Sequence, residues 1–264
     1  MLDRFAVMGS PIDHSLSPMI HQLFAEQTNR ALSYEKIQID LACFEQQVMH
    51  FFNIGGKGLN ITLPCKQRAF AMGEVVSARC LQAQAANTLW RASGKLHADN
   101  TDGIGLMRDL SRYIDVVDKK ILLLGAGGAA RGILGPLLST HPAELTIANR
   151  TLDNAHALHR AFPSMTRVCG FAELSGTYDL IINATSAGLA GQPVTLPSMI
   201  TVGKPFCYDL AYQKTGATAF VAWARALGCD AVDGLGMLVE QAAEAFFIWH
   251  GVMPQTAPVM KKMR

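Results

Sequence analysis

Residues 120–139 read KILLLGAGGAARGILGPLLS, and this stretch decides the fold. Lys120 to Leu124 is a near-continuous apolar run, predicted as a buried strand. It flows without a break into a glycine loop and then into a predicted helix over 127–139. Within the loop, Gly125-Ala126-Gly127-Gly128-Ala129-Ala130 matches the G-x-G-x-x-A pattern. Its physics is specific. Glycines let the backbone turn tightly and let a pyrophosphate approach, while the helix N-terminus supplies N–H donors and the positive end of a dipole. A glycine turn without a ligand would look similar by itself. The strand before it and the helix after it are the context that dinucleotide binding requires.

Downstream, Leu145 to Ala148 reads as the second strand. An NAD site of this type places Asp or Glu just after that strand, to hold the ribose 2′-hydroxyl. Here the position holds Asn149-Arg150-Thr151, and no carboxylate occurs until Asp153. Asn149 and Thr151 can hydrogen-bond a phosphate. Arg150 can pair with it and stack on the adenine, although a surface arginine beginning a helix is also consistent. The pattern favours NADP over NAD. Predicted helices over 152–161, 216–227 and 237–250 alternate with strands over 179–183 and 205–210. Strand–helix alternation with apolar strands marks a doubly wound parallel sheet.

Upstream of the glycine loop, the first hundred residues also alternate. Strands are predicted at 4–9, 33–39 and 57–63, and two short ones lie within 86–98, joined at Ser93-Gly94. Helices are predicted from Ser17-Pro18 to Asn29, over 42–53, from Pro64, and from Asp102-Gly103 to Tyr113. In the first of them, Ser17 is the expected N-cap with Pro18 at the first helical position. The chain is expected to fold as an α/β protein: an N-terminal α/β substrate domain (1–102), a Rossmann-like nucleotide domain (103–234), and C-terminal helices (235–264) that return to the first domain.

Several polar residues sit where local pattern alone would not put them. Ser15 and Ser17 are two apart, so an extended segment would point both the same way. Asn60 and Thr62 share one face of a strand whose other face is Leu59, Ile61 and Leu63. That face suits hydroxyl binding, or simple solvation. Lys66 stands in the first turn of a helix, where a cation is disfavoured; such local conflicts concentrate at functional sites. Asn87-Thr88 and Asn100-Thr101-Asp102-Gly103 collect short polar groups at strand ends. Gln241 lies on the last strong helix, either exposed or reaching into a pocket.

Composition closes off other classes. The 264 residues carry 23 basic and 21 acidic side chains, which offers no nucleic-acid footprint. The run Lys261, Lys262, Arg264 reads as a solvated tail. The six cysteines form no CxxC pair, which fits reduced thiols in a cytoplasmic protein. No His/Cys cluster has metal-ligand spacing, and no stretch reads as a signal peptide or membrane span.

Taken in order, His14-Ser-Leu-Ser-Pro18, Gly58-Leu-Asn-Ile-Thr62 with Lys66, Ala86-Asn-Thr-Leu89, Asn100-Thr-Asp-Gly103, the glycine loop with Arg131, Asn149-Arg-Thr151, Asn183-Ala-Thr-Ser-Ala-Gly188 and Asp233-Gly-Leu-Gly-Met237 resemble the shikimate dehydrogenase family. The similarity runs from Phe5 to about Pro258. It implies two domains with the active site in the cleft between them, and NADP-dependent interconversion of 3-dehydroshikimate and shikimate. By resemblance Lys66 is the catalytic lysine and Asp102 its carboxylate partner. Ser15, Ser17, Asn60, Thr62, Asn87, Asp102, Tyr212 and Gln241 match positions for shikimate, with Ser15 and Ser17 the candidates for its carboxylate. The cofactor set becomes Gly125, Gly127, Gly128, Ala129, Ala130, Arg131, Asn149, Arg150, Thr151, Asn154, Thr185 and Ser186, with Leu210, Gly234 and Met237 near the nicotinamide end.

The sequence departs from the pattern at Cys65 (often Phe), at Asn154 (often basic) and at Gln213 (sometimes Pro). The Asn154 departure weakens the preference for a 2′-phosphate without removing it. An NAD-preferring quinate/shikimate dehydrogenase and a non-catalytic NADP-binding regulator are the alternatives. The expected partner is a small-molecule substrate, with no nucleic acid or membrane, in a monomer or homodimer.

Overall fold

The computed structural model describes residues 2–163, 167–185 and 196–264. The chain forms two compact units, Met1–Leu106 with Leu238–Arg264, and Met107–Met237.

The first unit contains β1 (Asp3–Gly9), α1 (Ser17–Gln27), β2 (Leu32–Gln38), α2 (Phe44–Asn53), β3 (Gly56–Ile61), α3 (Lys66–Met72), β4 (Val75–Val76), α4 (Ala78–Ala83), β5 (Thr88–Ala92) and β6 (Lys95–Asp99). Its six strands form one mixed sheet in the order β2-β1-β3-β5-β6-β4. Strand β1 is parallel to both β2 and β3, whereas β3, β5 and β6 are antiparallel in succession. Leu59 and Ile61 of β3 point into a core with Phe44, Val48 and Phe51 of α2. Alternation along the strand therefore sends Asn60 to the other face. Register then lines Asn60 up with Thr88, and Thr88 with Asp99, so the polar residues of three strands lie in one row.

Helix α1 begins differently from expectation. Ser17 is its first helical residue and Leu16 the N-cap, already in a right-handed helical conformation. The hydroxyl of Ser15 accepts from the Ser17 amide at 3.3 Å. This turn, rather than strand alternation, brings the two serine hydroxyls within 3.2 Å of each other.

Helix α5 (Asp102–Leu110) carries the chain into the second unit. There β7 (Lys120–Leu124), α6 (Gly128–Leu138), β8 (Glu144–Ala148), α7 (Leu152–Ala161), β9 (Arg167–Cys169), β10 (Leu180–Asn183), β11 (Phe206–Asp209), α8 (Ala219–Ala226) and β12 (Ala231–Val232) follow. All six strands are parallel, in the order β12-β11-β10-β7-β8-β9. Ile121 to Leu124 are fully buried, as a strand covered on both faces requires. Chain order reverses between β7 and β10, and the crevice at such a switch point is where these sheets bind ligands. The expected doubly wound parallel sheet is the one observed.

Helices α9 (Leu235–His250) and α10 (Thr256–Met263) complete the chain. The basic C-terminal run is solvated as expected, with Lys261, Lys262 and Arg264 all exposed, but the two lysines stand on the ordered helix α10 and Arg264 follows it. Val259 buries its side chain, and Thr256 donates to Glu240 at 2.6 Å, so the segment is ordered. Lys261 and Lys262 fall in the last turn, where the helix dipole favours cations. All six cysteines are free thiols. Among the described residues no helix is long and apolar enough to cross a membrane.

Candidate active site

In the first unit the polar residues singled out by sequence, Thr62 apart, form one hydrogen-bonded cluster. Lys66 and Asp102 are each the first residue of a helix, α3 and α5. The Lys66 ammonium donates to Asp102 Oδ2 at 2.6 Å, and the two side chains are 12% and 6% exposed. A carboxylate is favoured at a helix N-terminus and an ammonium is not, so Asp102 supplies the anion that makes the Lys66 position tolerable. The second oxygen of Asp102 accepts from Asn87 Nδ2 at 2.8 Å. Gln241, on α9, accepts from Asn87 at 3.2 Å and from Thr101 at 3.3 Å, which answers the earlier choice between an exposed and an inward-reaching residue. Its own amide nitrogen is held by the Leu238 carbonyl at 2.9 Å.

Asn60 is buried rather than solvated. Its Oδ1 accepts from the Tyr34 hydroxyl at 2.7 Å, and its Nδ2 donates to the Asn87 carbonyl and to Thr88 Oγ1. Burial pushes the Tyr34 hydroxyl well above its usual range, opposed by a hydrogen bond with Ser17. It therefore stays a donor, and it links the Ser15–Ser17 pair to Asn60. Thr62 lies just past β3, half-buried, with its methyl against Gly9. His21 stacks on Tyr34 with ring centroids 4.2 Å apart. Burial, then the neighbouring His250, pushes its pKa down to about 3, with Asn60 opposing.

Three further residues complete this cluster. Thr101 is fully buried, and its amide donates to Asn87 Oδ1 at 2.9 Å. Asn100 accepts from the Asp102 amide at 3.0 Å and so fixes the start of α5. Tyr34 is the third, and no local pattern marked it. Its role depends on a neighbour that the sheet brings from 26 residues away.

The second unit holds the glycine loop at its switch point. Gly125 has φ +102°, and a Cβ there would sit 2.9 Å from the Ala184 carbonyl oxygen, so only glycine fits. A Cβ on Gly127 would meet nothing within 4 Å, which leaves the approach to the α6 N-terminus open. No side chain caps α6, so the first-turn N–H groups around Gly128, Ala129 and Ala130 keep their donors for an anion. Arg131 follows in the same helix, and burial lowers its pKa. At the end of β8, Asn149 is half-buried, while Arg150, Thr151 and Asn154 are exposed. Asn149 donates to the Thr151 carbonyl at 2.8 Å, which shapes this turn. Thr185 lies beside Gly125, in the loop after β10. Leu210 and Tyr212 follow β11, both half-buried, and Met237 is buried in α9. Gly234 packs so tightly that a Cβ would lie 2.3 Å from the Leu210 carbonyl oxygen. Ser186 lies outside the described residues.

An uncapped helix behind a glycine loop fits a pyrophosphate, and the acid-free end of β8 fits a phosphorylated ribose. With the lysine–carboxylate pair set among amides and hydroxyls, these features define a dinucleotide-dependent dehydrogenase acting on a hydroxylated substrate. The family profiles described as shikimate dehydrogenase substrate binding domain, shikimate/quinate 5-dehydrogenase and shikimate 5'-dehydrogenase C-terminal domain match residues 7–89, 109–201 and 234–264. The chain belongs to the shikimate dehydrogenase family. It is 60% identical over 264 residues to the shikimate dehydrogenase (NADP(+)) of Legionella pneumophila strain Lens, covering 100% of this chain and 99% of that one. Among solved structures, an Ael1 enzyme from Pseudomonas putida superposes with a TM-score of 0.90 at 45% identity, covering 99% of this chain and 98% of the other. The Thermus thermophilus shikimate 5-dehydrogenase in complex with NADP(H) and shikimate gives a TM-score of 0.89 at 32% identity, covering 100% and 99%.

Proposed function

We propose that this protein is an NADP-dependent shikimate dehydrogenase of aromatic amino acid biosynthesis, catalysing the reversible reduction of 3-dehydroshikimate to shikimate. The observation that carries the chemistry is the Lys66–Asp102 pair, held at 2.6 Å and nearly buried. When bound, NADPH supplies the hydride that the C3 carbonyl carbon receives. The carbonyl oxygen then needs a proton, and the Lys66 ammonium is the donor placed for it. Asp102 holds that ammonium in one position. It is itself fixed by Asn87 and by its own backbone bond to Asn100. Charge developing on the substrate oxygen thus meets a pre-oriented cation rather than water.

The remaining side chains suit a small polyol acid. Ser15 and Ser17 are the candidates for its carboxylate, and Asn60, Thr62, Asn87, Tyr212 and Gln241 for its hydroxyls. A site built to hydrogen-bond each hydroxyl rejects analogues that lack one. In the reading of the cofactor, the glycine loop and Arg131 take the pyrophosphate, and Asn149, Arg150, Thr151 and Asn154 the 2′-phosphate. Thr185, Ser186, Leu210, Gly234 and Met237 serve the ribose and nicotinamide end.

The test follows nicotinamide absorbance with shikimate or quinate, each paired with NADP⁺ or NAD⁺. Turnover confined to shikimate with NADP⁺ supports the reading. Comparable turnover with quinate or NAD⁺ favours a broader dehydrogenase, and silence in every pairing leaves only a cofactor-binding protein.

A further inference from the structure

Asp209 is fully buried at the C-terminal end of β11. Register sets it opposite Asn183, the last residue of β10, which in turn lies opposite Leu124, the last of β7. Among the described residues, three donors hold its carboxylate. Asn183 Nδ2 and the Ala211 amide donate to Oδ1 at 3.0 and 3.1 Å, and the Thr218 hydroxyl donates to Oδ2 at 2.6 Å. Burial, with a smaller push from the Asp233 carboxylate, raises the Asp209 carboxyl, and these three donors oppose the rise.

The bond to Asn183 has a directional consequence. An amide whose nitrogen is committed to Asp209 must present its oxygen the other way. Asn183 Oδ1 there accepts both from the Thr185 amide at 3.2 Å and from the Thr185 hydroxyl at 2.7 Å. Thr185 and Ala184 form the wall against which Gly125 packs, backbone to backbone, at the switch point. A chain of hydrogen bonds therefore runs from a buried carboxylate to the wall of the dinucleotide crevice.

We infer that Asp209 is a positioning residue for the cofactor: by fixing the amide orientation of Asn183, it holds Ala184 and Thr185 where the glycine loop and the bound dinucleotide require them. It touches no reacting atom, and its effect passes through Asn183. The inference rests on the NADP-dependent reading above.

The test is fluorescence titration of the full-length protein with NADPH, without substrate, alongside thermal melting. Asp209→Ala and Asn183→Leu each break the chain, and each is expected to raise the NADPH dissociation constant by about 10-fold or more. Asp209→Asn is the conservative variant. It keeps an oxygen toward Asn183 by turning its NH₂ toward Thr218, whose hydroxyl can rotate to accept. Thr218→Val removes only the other arm and the N-cap bond to Val221, so it should lower the melting temperature. Both of these are expected to bind NADPH within about twofold of the parent protein.

Parent-like affinity in Asp209→Ala and Asn183→Leu would overturn the inference. So would a loss in Thr218→Val as large as that in Asn183→Leu, because general loosening would then explain it. Should Asp209→Ala fail to fold, Asn183→Leu against Thr218→Val decides. Failure of the parent protein to bind NADPH would instead defeat the functional reading itself.

Discussion

Lys66 Nζ and Asp102 Oδ2 lie 2.6 Å apart, joining the first residues of two helices separated by 36 positions in sequence. The pair places a cation where helix α3 alone would disfavour one, and holds it with a carboxylate that the start of α5 favours. This arrangement fixes the Lys66 ammonium in one position.

If Lys66 is the general acid proposed above, Lys66→Ala removes it, and losses of that kind are roughly 10²–10⁴-fold in turnover. The expected result is a fall in kcat of about that size with shikimate binding largely retained, measured by steady-state kinetics and calorimetric titration. Near-normal turnover would rule out the role.

Arg150 is exposed beside the acid-free end of β8. If it pairs with the 2′-phosphate, Arg150→Ala should raise the KM for NADPH far more than that for NADH. Equal changes for both cofactors would defeat the assignment.

Two glycines assigned to the proposed nucleotide site should respond differently. A Cβ at Gly234 meets the Leu210 carbonyl oxygen at 2.3 Å, so Gly234→Ala must displace backbone and should lower both melting temperature and kcat. A Cβ at Gly127 meets no protein atom within 4 Å. Gly127→Ala should melt within a few degrees of the parent protein yet raise the KM for NADPH, because the new methyl enters the pyrophosphate's space. Scanning calorimetry with kinetics separates the two cases.

His21 gives a pH prediction. Its folded pKa is pushed down to about 3 from an ordinary 6.5, so the unfolded chain takes up the proton first. The corresponding stability is complete above about pH 6.5 and is lost progressively as pH falls toward about 3, amounting to about 2 kcal/mol by pH 5. His21→Phe keeps a ring against Tyr34 and should flatten the decline in denaturation midpoint between pH 7 and pH 5. An unchanged slope would show that other groups carry it.

Much of the fold was legible in sequence because its signals are local. The apolar run Ile121 to Leu124, the glycine loop and the following helix specify one another within twenty residues, and the structure keeps that order. The two- and three-residue strands β4, β9 and β12, and the short helix α4, were not legible, since so few residues carry no periodic signal. The start of α1 also moved by one residue, because Ser15 rather than Ser17 supplies the oxygen for the first turn.

The candidate site divides in the same way. Sequence by itself determined the residue types and their order: a lysine after a proline, serines two apart, amides at strand ends, and no acid after the second nucleotide strand. Tertiary structure alone decided what those groups do to each other. Pairing of β3 with β5, and of β5 with β6, brings Asn60, Thr88 and Asp99 into one row, and α9 supplies Gln241 to Asn87. Tyr34 and Asp209 acquire their roles only through Asn60 and Asn183, each 26 residues away from its partner. Hydrogen bonding is short-ranged and directional, so which donor meets which acceptor is set by sheet register and packing, and a linear pattern holds no record of either.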